Sequence, residues 1–174
     1  MYLYIDTREQ QSLAPEFPKM EAVTIIQKAL PVGDYGAGHL VKGVVQEDGA
    51  IIERKSVPDL FTSFTGERYE AERDKVLRAK ALGLKYILAI ESSFTELLKG
   101  HAYWKDGELH ESRKTGIAMI RQLCTMSRKY GMDVWFCTSR REMAMRIQEY
   151  FISYERVKPD EELVPMVAGH VSHA

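Results

Sequence analysis

The stretch IIERKSVPDL, residues 51–60, carries an apolar run into three adjacent charged side chains. Glu53, Arg54 and Lys55 directly follow two isoleucines, and a proline comes three residues later. In a β-strand, side chains two residues apart project from the same face, roughly 6.6 Å apart along the chain, and the residue between them points the other way. A strand over residues 51–55 therefore places Glu53 and Lys55 on one face of a sheet and Arg54 on the other.

Two interpretations of this pair are open from the residues alone. A carboxylate and an ammonium side by side at a strand end can hold a divalent cation and place a water or a phosphate beside it. The same two groups also make an ordinary exposed salt bridge, which contributes at most ~1 kcal/mol to stability. Because one carboxylate is a poor metal site, the first interpretation requires a second carboxylate near Glu53.

Two further aspartates stand where predicted strands end or turn. Asp34 follows a glycine in PVGDYGAG, residues 31–38, and Asp6 closes the strand-like YLYID, residues 2–6. Each has a structural alternative, since aspartate is common in turns and as a cap. Gathered at one edge of a sheet together with a lysine, such carboxylates are suited to metal-assisted hydrolysis of phosphodiesters.

The remaining pattern alternates between strand-like and helix-like segments. Strands are predicted at residues 2–6, 22–30, 84–91 and 132–138. Helices are predicted at residues 58–64, 66–83, 93–99, 113–130 and 140–155. This order predicts an α/β domain in which helices pack on the faces of a central mixed sheet.

Three connecting segments complete the prediction. A hairpin is expected over residues 39–55, with its turn at the Asp-Gly pair of EDG. PVGDYGAG is expected to be a turn or loop. GHAYWKDGELHES, residues 100–112, is expected to be a polar loop, whose aromatic and basic side chains either stack on nucleic-acid bases or anchor the loop itself.

Length and composition restrict the class of protein. The 174 residues predict one domain over residues 1–155 and a C-terminal tail over 156–174. No window approaches the length of a membrane span and no secretory signal is present, so we expect an intracellular protein away from membranes. GDYGAG lacks dinucleotide-binding spacing, which argues against a nucleotide cofactor. A net charge of −1 gives no global indication of a nucleic-acid partner, although residues 99–141 are basic.

Taken in order, DTRE at residues 6–9, GDY at 33–35 and ERKSVPDL at 53–60 resemble the motifs of the XPF-type nuclease domain. That domain is a branch of the PD-(D/E)xK restriction-endonuclease-like superfamily. The resemblance covers residues 2 to about 91 in motif order and spacing. It implies a restriction-endonuclease-like three-layer α/β/α fold with a central mixed sheet, and only the catalytic domain is expected in this chain.

The resemblance also implies a role for each motif residue. Asp34 and Glu53 would bind the metal, and the backbone carbonyl of Arg54 would complete the ligand set. Lys55 would orient or activate the attacking water and stabilise charge on the phosphate. Asp6 would lie beside the metal, either as a ligand or as a group that supports the ligands.

Supporting roles follow for the neighbouring residues. Arg8 and Glu9 would support the first aspartate, and Asp59 would brace the site from the following helix. The side chain of Arg54 would either pair locally or reach the DNA backbone.

The helix that follows departs from the family pattern. The family usually has a Gly-Arg pair and a glutamine four residues beyond the arginine. Here Arg68 matches after one inserted residue, but Glu72 stands in the glutamine position. Arg68 and Arg73 are expected to contact DNA, with an ordinary solvated helix face as the alternative.

The function implied by the resemblance is a metal-dependent DNA endonuclease that leaves a 5′-phosphate and a 3′-hydroxyl. Mg²⁺ is the expected ion, with Mn²⁺ as a substitute, and the expected context is DNA repair or recombination on branched or flap DNA. The alternatives are a Holliday junction resolvase, a phage-type nickase and a non-catalytic DNA-binding partner subunit. A homodimer is a further expectation from the resemblance, because the family often pairs its nuclease domains through helices after the core. The apolar residues of the helix at 140–155 form either core or such a dimer face.

Overall fold

A computed structural model describes residues 1–64, 67–105 and 107–154 of the chain, so the expected tail at 156–174 lies outside the described residues. The strands are β1 (Tyr2–Asp6), β2 (Thr24–Lys28), β3 (Tyr35–Val41), β4 (Val44–Glu47), β5 (Ala50–Lys55), β6 (Lys85–Ile90), β7 (Ala102–Lys105), β8 (Glu108–Glu111) and β9 (Asp133–Phe136). The α-helices are α1 (Val57–Ser63), α2 (Glu67–Ala81), α3 (Phe94–Leu98), α4 (Gly116–Tyr130) and α5 (Arg140–Tyr154). A short 3-10 turn spans Ala14–Glu16.

The strands form one mixed sheet and one small hairpin. The order across the main sheet is β2-β1-β3-β5-β6-β9, and β4 pairs with β3 at one end. β1 and β2 are parallel, as are β5, β6 and β9, whereas β3 runs antiparallel to both of its neighbours on this path. β7 and β8 form a separate antiparallel pair. The central mixed sheet predicted from the sequence is confirmed.

Alternating side chains on the strands build a core on each face of the sheet. On β6, Tyr86, Leu88 and Ile90 belong to the core that includes residues of α1, α2, α3 and α4. Ile87 and Ala89 belong to the opposite core, which includes residues of α5. Such near-continuous burial is typical of parallel strands covered on both faces. The helices thus form layers on both sides of the sheet, and the three-layer α/β/α architecture is confirmed.

The hairpin predicted over residues 39–55 turns at a different place. Lys42 and Gly43 have φ angles of 51° and 81°, so the tight turn lies there and joins β3 to β4. β4 and β5 each pair with β3 instead of with each other. Asp48 is buried, and its Oδ2 lies 3.2 Å from Nε2 of His39 on β3. The prediction of a turn at the Asp-Gly pair is wrong. Asp48 makes this buried contact instead, and Lys42 and Gly43 supply the left-handed residues of the turn.

Two segments expected to be loops contain strands. The second half of PVGDYGAG begins β3, where glycines permit close approach of neighbouring side chains. A Cβ atom at Gly38 would collide with the hydroxyl of Tyr4 and come within 2.9 Å of Val45. The polar segment 100–112 contains the β7–β8 hairpin, and Gly107 has a φ of 82° in the connection. No helix of the described residues is long and apolar enough to cross a bilayer.

The apolar residues of α5 belong to the core. Met143, Ile147 and Phe151 are all 0% exposed and pack in the core that contains Ile87 and Ala89 of β6. Tyr150 is partly buried against that core. Of the two alternatives for this helix, its apolar side therefore forms core.

Phe151→Ala is expected to lower the free energy of unfolding by about 3–5 kcal/mol, because it leaves a cavity in a packed interior. Met145→Ala on the same helix is the matched control, since Met145 is 45% exposed, and a change below ~0.5 kcal/mol is expected there. Urea unfolding followed by circular dichroism measures both. Equal losses in the two variants would contradict the burial of this side of α5.

Candidate active site

A cleft of about 230 Å³ opens at one edge of the main sheet. Asp6 reaches it from the end of β1, Asp34 from the residue before β3, and Glu53 from near the end of β5. β3 is antiparallel to β1 and β5, so its start lies at the same sheet edge as their ends. The full set of lining residues is Asp6, Arg8, Pro31, Val32, Gly33, Asp34, Glu53, Lys75 and Arg78. The cleft brings together the three carboxylates that sequence analysis singled out.

Asp34 is fixed against β5 by its own backbone and side chain. Its N–H donates to the carbonyl of Ile52 at 2.9 Å, and its Oδ2 accepts from the N–H of Arg54 at 2.8 Å. Burial and the neighbouring Glu53 raise the pKa of Asp34 from its ordinary 3.8 to about 7. Two carboxylates on one cleft repel each other, and a bound cation would relieve that repulsion.

Two lysines and two glutamates form a closed ring beside the cleft. The Nζ of Lys55 lies 3.1 Å from Oε1 of Glu53 and 2.9 Å from Oε1 of Glu72. The Nζ of Lys75 lies 2.6 Å and 3.3 Å from the same two oxygens. Burial lowers the pKa of Lys55, but attraction to Glu53 and Glu72 outweighs it and raises that pKa to about 12. Lys55 is therefore an ammonium ion at neutral pH.

Asp6 uses both carboxylate oxygens for internal hydrogen bonds. Oδ1 accepts from the backbone N–H of Arg8 at 2.8 Å and from its Nε at 2.7 Å. Oδ2 accepts from Nη2 of Arg8 at 2.9 Å and from the N–H of Leu30 at 2.7 Å. The side-chain bond from Arg8 lowers the pKa of Asp6 to about 2, despite its burial. These contacts favour the supporting role expected for Asp6 over the role of a ligand.

Arg54 pairs locally on the opposite face of the sheet. Its Nε donates to Oε1 of Glu91 at 2.8 Å, and its Nη2 donates to Oε1 of Gln11 at 3.1 Å. Oε1 of Glu9 lies 3.7 Å from Nη1, so Glu9 supports Arg54 and not Asp6 through its side chain. Only 6% of the Arg54 side chain is exposed, which favours the local pairing, and a contact of Arg54 with the DNA backbone stays a prediction.

Three other predicted residues lie outside the cleft lining. The Asp59 carboxylate is exposed and accepts from the Ser56 hydroxyl at 2.6 Å at the start of α1, so it supports that helix end and not the cleft directly. Arg68 is exposed on α2, and Arg73 pairs with Asp74 at 3.0 Å. DNA contacts by Arg68 and Arg73 stay predictions.

Lys75 was missed by sequence reasoning, and Glu72 was noted only as a departure from a family pattern. A signal for both was present in their spacing on α2. Glu72 and Lys75 lie on the side of the helix that also carries the buried Val76 and Ala79. Side chains at this spacing lie on one face of a helix, and here that face is turned toward the sheet and the cleft.

The residues at the cleft fit a hard divalent cation that takes only a few of its ligands from the protein. Within the described ranges, no cluster of three or more Asp, Glu, His or Cys side chains is arranged to hold a metal ion. Asp34 and Glu53 nonetheless place two carboxylates on one cleft, and Mg²⁺ commonly binds through one or two carboxylates and keeps several waters or phosphate oxygens. The carbonyl of Arg54 as a third ligand stays a prediction.

Asp34→Asn is expected to stabilise the metal-free protein at pH 8. A folded-state pKa of about 7 against an ordinary 3.8 means that the folded state binds the extra proton, so the stability from this group is present below pH 4 and is lost as the pH rises through 7. Asparagine removes the buried charge and keeps an acceptor for the Arg54 N–H.

The measurement is thermal unfolding in EDTA at pH 5 and pH 8. We expect Tm at pH 8 to rise by about 3 °C or more in the variant, with a much smaller gain at pH 5. The exposed Asp74→Asn is the matched control and should shift Tm little at either pH. A loss of stability at pH 8 would contradict a raised pKa at Asp34.

Comparison with known proteins places these residues in a family. The 3′-flap repair endonuclease Xpf of Saccharolobus solfataricus is 32% identical over 103 residues, which are 59% of this chain and 39% of that protein. This chain therefore matches less than half of that relative's length. XPF from Aeropyrum pernix has the same fold, with a TM-score of 0.61 and 19% identity, over 91% of this chain and 66% of that one.

A second structure of XPF from Aeropyrum pernix, in complex with DNA, matches with a TM-score of 0.58 and 18% identity, over 92% of this chain and 68% of that one. These likenesses confirm the restriction-endonuclease-like fold. The model of the ERCC4 domain matches residues 5–149, which contain every residue of the cleft, and the chain belongs to the ERCC4 domain family.

Proposed function

We propose that this chain is a metal-dependent DNA endonuclease that hydrolyses phosphodiester bonds. The observation that carries the proposal is the meeting of Asp34, Glu53 and Lys55 at one sheet edge, with the two carboxylates on an open cleft and the ammonium against Glu53. The described relatives support the substrate class, because one is a 3′-flap repair endonuclease and another has been solved with DNA.

Asp34 and Glu53 would hold the divalent cation. When bound, Mg²⁺ would supply Lewis-acid polarisation of the phosphate and would lower the pKa of a water molecule. Asp34 contributes a carboxylate fixed in place by the Arg54 N–H, so little reorganisation is needed when a cation arrives. Glu53 lies on a buried strand, which fixes its backbone rigidly.

Lys55 acts as a hydrogen-bond donor and a fixed positive charge. Because its pKa is raised to about 12, it carries its proton at neutral pH, which favours the role of a donor over that of a general base. Its ammonium can instead orient the attacking water and stabilise negative charge that develops on the phosphate. Oε1 of Glu72 lies 2.9 Å from Nζ of Lys55, so Glu72 is the second carboxylate of the ring, besides Glu53, that holds this ammonium in place.

Three cationic side chains line the cleft and suit a phosphate backbone. Arg8 enters from the loop after β1, and Lys75 and Arg78 enter from α2. Arg8 is oriented by Asp6 and also donates to the carbonyl of Leu30 at 2.7 Å. Phosphate contacts position a nucleic acid without reading its sequence. Such an arrangement supports selection by DNA shape and not by base sequence.

The proposal also includes the biological context of the cleavage. Flap or branched DNA in repair or recombination is supported only by the description of the Saccharolobus solfataricus protein. A homodimer and an intracellular location remain predictions. A non-catalytic DNA-binding subunit is less well supported, because the carboxylates and the lysine are all present and lie together.

One experiment separates these activities. The purified chain is incubated with labelled single-stranded, duplex, flap and four-way DNA in Mg²⁺ or Mn²⁺, and binding and cleavage are followed on parallel gels. Cleavage of flap DNA supports the proposal, paired symmetrical cuts in four-way DNA indicate a resolvase, and single cuts in duplex indicate a nickase. Binding of any of these DNAs without cleavage in either ion would contradict the endonuclease proposal.

A further inference from the structure

The ring of Glu53, Lys55, Glu72 and Lys75 balances two negative charges with two positive ones. Both ammonium groups approach the same oxygen, Oε1, of Glu53, at 3.1 Å and 2.6 Å. Both also approach Oε1 of Glu72, at 2.9 Å and 3.3 Å. Glu53 is thus doubly paired by cations of the protein itself, although the proposed function assigns this carboxylate to a divalent ion.

We propose that Lys75 is a resident cation, which occupies Glu53 until a divalent cation replaces it and thereby lowers the affinity of the site for metal. This inference rests on the proposed function, because it takes Asp34 and Glu53 as the metal-binding pair. It assigns Lys75 a positioning role in metal binding that is separate from the role of Lys55.

The exposure of the two lysines identifies Lys75 as the one that leaves. The Lys55 side chain is 11% exposed and projects from the interior strand β5, so moving it would take from the buried Glu72 its closer partner, at 2.9 Å against 3.3 Å for Lys75. The Lys75 side chain is 37% exposed and extends from α2 into the open cleft. Its flexible stem can carry the ammonium away from Glu53 without moving the backbone.

Glu72 gives Lys75 a second contact that outlasts its contact with Glu53. The carboxylate is buried and 3.3 Å from Nζ of Lys75, one helical turn away on α2. When Lys75 releases Glu53, attraction to Glu72 keeps the ammonium at the cleft wall. Arg78, one further turn along, lines the same cleft, so a displaced Lys75 stays within a surface suited to phosphate.

The size of the effect follows from the exposure of the pair. A partly exposed ion pair is worth on the order of 1 kcal/mol. Removing the Lys75 ammonium, which competes with the metal for Glu53, should therefore tighten metal binding by about fivefold. The effect appears in metal affinity without any DNA, which makes it independent of catalysis.

The test is a titration of Mn²⁺ alone into the full chain, followed by electron paramagnetic resonance of the free ion. Lys75→Met should bind Mn²⁺ about fivefold more tightly than the wild type, and Lys75→Arg, which keeps the charge, should stay close to it. Arg78→Met is the matched control: it removes one positive charge from the same cleft, and no ion pair between Arg78 and Glu53 is found within the described residues. It should tighten binding much less.

Thermal unfolding provides a second readout that does not depend on the ion signal. In EDTA, Lys75→Met should lower Tm because Glu53 loses its 2.6 Å partner, and a fixed Mn²⁺ concentration should raise Tm more in this variant than in the wild type. Unchanged or weaker Mn²⁺ binding by Lys75→Met, or equal tightening by Arg78→Met, would overturn the inference.

Asp34→Asn and Glu53→Gln separate this inference from the proposed function. If both weaken Mn²⁺ binding strongly and Lys75→Met has no effect, the metal site stands and only the role of Lys75 fails. If neither weakens Mn²⁺ binding, the metal site itself is wrong and the inference fails with it. The inference is supported when both weaken binding and Lys75→Met tightens it.

Discussion

Glu53→Gln is expected to reduce DNA cleavage by about a thousandfold or more while leaving the fold intact. Glutamine keeps the length of the side chain and one carbonyl oxygen, but it carries no charge to hold a divalent cation. It also leaves Lys55 and Lys75 with Glu72 as the one carboxylate of the ring that they still share. The measurement is the single-turnover cleavage rate in Mg²⁺, with circular dichroism to compare the folds.

Glu96→Gln is the matched control for this change. Glu96 is exposed on α3 and pairs with Lys99 at 2.6 Å, away from the cleft lining. The same chemical change there should leave the cleavage rate within about twofold of the wild type. Wild-type cleavage by Glu53→Gln, or an equal loss in both variants, would remove Glu53 from the proposed metal site.

Lys55→Met is expected to lower the cleavage rate by about a hundredfold to a thousandfold, because a fixed positive charge is lost beside the reacting phosphate. Methionine retains much of the length and the apolar character of the lysine stem. Since Lys55 is protonated at neutral pH, the loss should be similar at pH 7 and pH 9, unlike the loss of a general base. Single-turnover rates at the two pH values measure this.

Lys99→Met, at the exposed residue that directly follows α3, is the control for Lys55→Met. A variant at Lys55 that cleaves at the wild-type rate would show that the neighbouring Lys75 ammonium supplies the charge, contrary to the role proposed for Lys55. A loss that grows steeply with pH would instead identify Lys55 as a base.

Local patterns predicted the parts of the molecule that neighbouring residues specify. The period-two alternation in IIERK correctly separates Glu53 and Lys55 from Arg54, because strand geometry alone determines which face a side chain occupies. Ser56 accepts the N–H of Asp59 at the start of the helix predicted at residues 58–64, a contact between residues only three apart in the chain.

Contacts between distant segments were not predictable in this way. Arg54 meets Glu91, 37 residues later, on the far face of the sheet, and nothing in the local pattern predicted that partner. Lys55 meets Glu72, 17 residues later, only because α2 packs over β5. The hairpin turn was misplaced because Lys-Gly and Asp-Gly are both acceptable turn sequences, and the buried contact of Asp48 with His39 selects between them.

The most direct measurement is the rate at which the purified wild-type chain cleaves a 5′-labelled flap DNA in Mg²⁺ and, in parallel, in excess EDTA. The proposed site predicts cleavage in Mg²⁺ that EDTA abolishes, with 5′-phosphate and 3′-hydroxyl ends that a ligase and a polymerase accept. DNA that is bound but left intact in both Mg²⁺ and Mn²⁺, or is cut equally well in EDTA, would contradict it.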